Sequence, residues 1–156
     1  METVGIRPPA VAGLFYPRDA RTLADDVAAL IAAVPPAPTF PQPKAIIVPH
    51  AGYVYSGPVA AHAYALLRPH ADTIRRVVLL GPCHRVAVRG LAVPHARAFA
   101  TPLGAIRLDR QAIAAALELP QVIQHDAAHA EEHALEVQLP FLQKVLGEFG
   151  LAPFAV

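Results

Sequence analysis

Two short apolar runs, Ala45-Ile46-Ile47-Val48 and Val77-Val78-Leu79-Leu80, each stop just short of a proline that a histidine follows within two positions. That repeated ending constrains the fold more than any other feature of the chain. Continuous runs of β-branched and aliphatic residues, with no polar alternation, are the pattern of strands covered on both faces. Between them Ser56 offers a helix cap, Pro58 suits a first turn, and Val59, Ala60, Ala63, Tyr64 and Leu67 recur at helical spacing. Strand, helix and strand within about 36 residues make a βαβ unit, whose strands should be parallel and whose crossover should be right-handed.

The remaining segments read as additions to that unit. A turn around Pro8 to Pro17 precedes a helix from about Asp19 to Ala33 that carries Leu23, Val27, Leu30 and Ile31 on one face. Val34 to Pro43 holds five of the chain's 17 prolines and predicts an extended connector. Gly90 to Val93 and Ala105 to Leu108 predict short antiparallel strands around the Thr101-Pro102-Leu103-Gly104 turn, and Asp109 should cap a helix to about Leu117. Gln121 to Gln124 reads as a strand. A helix from about Ala130 carries Leu135, Leu139 and Leu142, and Pro140 should kink or interrupt it. Ala152 to Val156 looks like the opening of one more buried strand.

Composition narrows the function classes. With 156 residues, 54% hydrophobic and 16% charged, the chain suits one α/β domain with a real core. Thirteen basic against 12 acidic residues, with no basic stripe, argue against a nucleic-acid partner. No apolar stretch approaches the roughly 20 residues of a membrane span, and Met1 to Pro17 lacks a basic segment followed by an apolar one. A cytoplasmic protein without a membrane partner is the expectation, and the single cysteine, Cys83, agrees with a reducing compartment.

In open α/β sheets ligands bind beyond the carboxyl ends of the strands, and His50 and His84 both fall there. Imidazoles converging in an apolar cleft suit a borderline metal such as iron, copper or zinc, or acid–base chemistry near neutral pH; each could equally be a hydrogen-bonded core residue. The loop from Ala51 to Gly57 adds Tyr53, Tyr55 and two glycines, which serve either a binding loop or a strand-to-helix turn. His129-Ala130-Glu131-Glu132-His133 matches the H-x-x-E-H pattern of inverted zinc peptidases, but few carboxylates follow it as a third ligand. The stronger reading turns His133 toward the crevice of His50 and His84, with Glu132 or Glu136 orienting it. A solvated helix start explains the same residues. Cys83, beside His84, is either a pocket thiol or a small buried hydrophobe.

Five segments together resemble a known family. They are Arg7 to Pro17 (RPPAVAGLFYP), Val48 to Gly57 (VPHAGYVYSG), Leu80 to His84 (LGPCH), Thr101 to Gly104 (TPLG) and Glu132 to Leu142 (EHALEVQLPFL). In this order they resemble the Memo family, called AmmeMemoRadiSam system protein B in bacteria and archaea. The resemblance implies a LigB-like, three-layer mixed-sheet fold related to class III extradiol dioxygenases. It implies a metal-dependent oxidoreductase in which His50 and His84 hold iron or copper and His133 lies in the pocket as acid–base group. The family's third ligand is a cysteine far downstream, so the chain is expected to be truncated at its C-terminus, a single domain over residues 1–156 equal to the first half to three-fifths of the family's. The metal would then be weakly held. Cys83 stands where the family commonly has serine. The alternative function is an adaptor taking a phosphopeptide or other anion in the same pocket, as the mammalian relatives do. The bacterial family name implies association with AMMECR-type and radical SAM proteins. Because Phe154 to Val156 would leave a sheet edge bare, self-association is a further expectation.

Overall fold

The computed structural model describes residues 5–36, 38 and 40–156; Met1 to Val4, and Ala37 and Thr39 of the proline-rich connector, lie outside it. Helix α1 (Ala20–Ala32) begins where Asp19 accepts from the Thr22 N–H at 2.8 Å, and Leu23, Val27 and Ile31 bury its inner stripe. It packs on α2 (Tyr53–Ala65), and the approach is close because Gly57 faces Leu30, whose Cδ1 would lie 3.0 Å from an added Cβ. α2 starts earlier than the Ser56 cap predicts. Gly52 is its N-cap, and the Ser56 hydroxyl instead donates to the Ala51 carbonyl at 2.8 Å.

The strands form two mixed sheets, as expected of a three-layer α/β fold. A three-stranded sheet runs β1 (Ile6–Arg7), β4 (Ala98–Thr101), β5 (Gly104–Arg107). A four-stranded sheet runs β2 (Arg76–Gly81), β7 (Gly150–Ala155), β3 (Leu91–Val93), β6 (Val122–Gln124). β2 and β7 are parallel, as are β3 and β6, while β3 and β7 are antiparallel. Helix α3 (Arg110–Leu117), capped by Asp109 as predicted, lies on the connection from β3 to β6; α5 (Leu139–Leu146) leads into β7.

Several expectations need correction. Ala45–Val48 enters no ladder among the described residues, and Ile47 is 99% exposed, so the predicted first strand of the βαβ unit is not a buried strand; the parallel crossover pairs are β3 with β6 and β2 with β7. The hairpin around Thr101–Gly104 joins β5 to β4, while Leu91–Val93 belongs to the other sheet. The long helix expected from Ala130 is broken up: α4 (Ala127–Ala130) stops, and a 3-10 turn at Glu136–Gln138 precedes α5. Pro140 sits in the first turn of α5, where its missing N–H costs nothing, so it begins a helix and does not kink one. Phe154 and Ala155 do not form a bare edge, because β7 lies buried between β2 and β3. Pro153 is tolerated inside the sheet because it turns toward β3, where the ladder engages Ala155 alone. Among the described residues no helix is long and apolar enough to cross a membrane.

Candidate metal centre

β2 delivers His84 through the Gly81-Pro82-Cys83 turn. Gly81 is required there, since an added Cβ would stand 2.8 Å from the buried Leu135 Cδ2, and that absence lets the strand end lie against the His133 loop. His133 follows the break after α4, and His50 precedes the N-terminus of α2. The three rings converge. Centroids of His84 and His133 are 4.5 Å apart and nearly stacked; His50 lies 5.4 Å from His84 and 5.9 Å from His133. One nitrogen from each ring lies within 4.8 Å of the others, so the trio could hold a metal ion. His50 and His133 are half-buried and His84 is more exposed.

Glu132 organises two of the three histidines, His84 and His133. Its buried carboxylate accepts from the His84 backbone N–H, His84 Nδ1 at 2.9 Å, the His133 N–H at 2.9 Å and the Ala134 N–H at 2.8 Å. A carboxylate only accepts, so the His84 proton sits on Nδ1 and leaves the Nε2 lone pair for a metal. Burial alone would raise the Glu132 carboxyl, but the His84 and Ala134 amides and the His84 ring outweigh it and hold the group below its usual range. His133 is shifted down by burial, with His84, His50 and Arg85 adding to the effect, so its ring is a neutral donor at pH 7.

The other predicted residues sort cleanly. Glu136 does not orient His133. It is fully buried and accepts from Arg7 Nη1 at 2.6 Å, the Ala10 and Val11 N–H groups at 2.8 and 3.0 Å, and the Tyr16 hydroxyl at 2.6 Å. Arg7 also donates to the carbonyls of His129 (2.6 Å) and Glu132 (2.8 Å), so the same network braces the backbone on which His133 rides. Tyr53 is a core post: its hydroxyl donates to the Val137 carbonyl at 2.7 Å and its ring meets Tyr16 and Phe141. Tyr55 points outward. The Cys83 thiol turns to the Ala128 carbonyl at 3.5 Å and packs with Ala92, Ala128 and Ala155, apart from the imidazole trio. His129 and His133 do not share a helix face, because α4 ends between them; His129 is buried with Nε2 on the Ala92 carbonyl at 2.8 Å. The H-x-x-E-H peptidase reading fails on that geometry.

Sequence reasoning missed three contributors. Phe15 lays its ring 4.6 Å from His133 while its carbonyl accepts from the Tyr53 N–H at 2.8 Å. Gln138 donates to the Pro49 carbonyl at 3.0 Å and accepts from the Tyr64 hydroxyl at 2.6 Å, so this relay fixes the backbone just before His50. The available signal was a glutamine and a tyrosine inside otherwise apolar helical patterns, where a polar atom needs a buried partner.

The family model described as Memo-like protein matches residues 7–156. Similar curated proteins include a MEMO1 family protein of Aquifex aeolicus, 40% identical over 152 residues that cover 97% of this chain and 55% of that protein. One from Ignicoccus hospitalis is 39% identical, covering 97% and 56%, and one from Methanocaldococcus jannaschii is 35% identical, covering 97% and 57%. The chain thus spans just over half the length of these relatives.

Proposed function

The chain belongs to the Memo-like protein family, and from that premise we propose that His50, His84 and His133 hold one iron or copper ion for a metal-dependent oxidoreductase reaction akin to that of non-haem dioxygenases. The observation that carries this is the mutual approach of three ring nitrogens to within 4.8 Å. His133 takes the third ligand position in place of the acid–base role expected of it, since one of its ring nitrogens lies within 4.8 Å of one from His50 and one from His84. A bound ion would supply Lewis-acid or redox chemistry at the open side of the trio, where His84 is exposed. Glu132 fixes the His84 tautomer, and Phe15 covers one face of His133. The alternative, an adaptor pocket for a phosphopeptide or other anion, would use the same imidazoles as hydrogen-bond donors, neutral or protonated, and the downward shift of His133 works against its charged form.

Elemental analysis of protein purified without a histidine tag tests the proposal. Stoichiometric iron or copper in the wild type, lost in His50→Ala and His84→Ala, is the expected result. A metal-free protein that binds phosphotyrosine tightly would replace this reading with the adaptor.

A further inference from the structure

The three imidazoles are not held alike. His84 comes just after a laddered strand and is bonded to Glu132 through both its backbone N–H and Nδ1. The His133 N–H is bonded to the same carboxylate, and its carbonyl accepts from the Val137 N–H at 3.0 Å. The His50 ring makes no hydrogen bond among the described residues, and the chain leading to it enters no ladder there. From Pro43 to His50 the backbone makes one hydrogen bond among the described residues, in which Gln138 Nε2 donates to the Pro49 carbonyl at 3.0 Å. Ile46 and Val48 pack partly against the core and keep the segment on the body of the protein, but apolar contact is non-directional and does not set where His50 points.

The surroundings of Gln138 are built around that single bond. Its side chain is buried on the 3-10 turn Glu136–Gln138, and its Oε1 accepts from the buried Tyr64 hydroxyl at 2.6 Å. A carbonyl only accepts, so the amide must turn its nitrogen to Pro49 and take the Tyr64 proton on its oxygen; each bond fixes the direction of the other. Tyr64 is held in turn by Phe141, whose ring stacks on it with centroids 5.0 Å apart and 8° between the planes. The segment from Glu132 to Gln138 therefore carries His133, the carboxylate that holds His84, and the amide that reaches toward His50.

We propose that Gln138 is the positioning residue for His50, acting through the Pro49 carbonyl with Tyr64 behind it, and that without this bond His50 swings out of the cluster while His84 and His133 stay together. The consequence for metal affinity rests on the three-histidine centre proposed above; the consequence for ring geometry does not. Gln138 touches no ion, yet it sets how tightly one is held, because it decides whether the third imidazole is in place.

Nuclear Overhauser contacts between the histidine rings of the metal-free 156-residue chain read the tether directly. In Gln138→Met, which keeps the length of the side chain and removes the donor, the His50–His84 contact should vanish and the His84–His133 contact should keep its intensity. Tyr64→Phe, a milder change that leaves the amide without its backing hydroxyl, should weaken the first contact and spare the second; it decides the matter if Gln138→Met does not fold. A His50–His84 contact of wild-type intensity in the folded variants overturns the proposal. Equal loss of both contacts overturns it too, since Gln138 would then be a general prop of the core. Copper titrated into wild type, Gln138→Met, His50→Ala and the double variant supplies the second readout. Gln138→Met should lower affinity about tenfold or more where His50 is present and by less than about twofold in the His50→Ala background. An equal loss in both backgrounds overturns the proposal. A wild type that takes up no copper refutes the metal centre and leaves the ring contacts to decide on Gln138.

Discussion

Replacing Arg7 with methionine removes one partner of a buried ion pair and keeps the volume of the side chain. Arg7 and Glu136 are 7% and 0% exposed at their side chains, so solvent cannot take over the lost charge partner. Removing one member of such a pair costs ~3–5 kcal/mol, because the remaining charge stays buried. Here the cost should fall near the lower end, about 3–4 kcal/mol, since Ala10, Val11 and Tyr16 still donate to Glu136. Loss of the donors to His129 and Glu132 acts in the same direction. Against a typical total of ~5–15 kcal/mol this is a large fraction, and in a chain of this size it lowers Tm by roughly 6–16 °C. Urea unfolding followed by far-ultraviolet circular dichroism measures it, with an unchanged m-value expected. The double variant Arg7→Met/Glu136→Leu should be more stable than the sum of the two single losses predicts, because no buried charge is then left alone. A single-variant loss below about 1 kcal/mol, the size seen for exposed pairs, would refute the reasoning.

Glu132→Gln should weaken metal binding by ~10–100-fold with little change in the far-ultraviolet spectrum, because both carboxylate oxygens accept from N–H groups and the amide NH2 must face one of these donors, loosening the hold on His84; titration calorimetry with copper or iron measures it, and unchanged affinity counts against the role assigned to Glu132. Burial holds the buried His129 below its ordinary range, so the unfolded chain takes up its proton first as pH falls. Stability is therefore full above about 6.5 and declines below it, and His129→Gln should flatten that slope in urea midpoints measured at pH 7.5 and 5.5. Tyr64→Phe strands the Gln138 carbonyl oxygen and should cost ~1–3 kcal/mol, checked by thermal unfolding.

What the chain's sequence discloses depends on how local the deciding interaction is. Asp19 and Asp109 announce their helices because a cap bonds three residues onward. His50 and His84 could be paired in advance because each follows an apolar run that stops near a proline, although only the run before His84 is a strand among the described residues. Ala45–Val48 has the same apolar look as Val77–Leu80, yet among the described residues only Val77–Leu80 joins a ladder, since ladder membership is fixed by partners far away in sequence. The choice between Glu132 and Glu136 was equally invisible. Both lie in one motif, and only the approach of Arg7 and Tyr16 from the other end of the chain commits Glu136 to the core and leaves Glu132 to the histidines.

Those same bonds order events during synthesis. Arg7, Val11 and Tyr16 leave the ribosome early but bind a side chain 120–129 positions later. At ~5–20 residues per second the leading segment waits roughly 6–26 s for its anchor. Phe15 cannot settle on His133 before then, so the imidazole cluster is completed only after α1 and α2 have already been made.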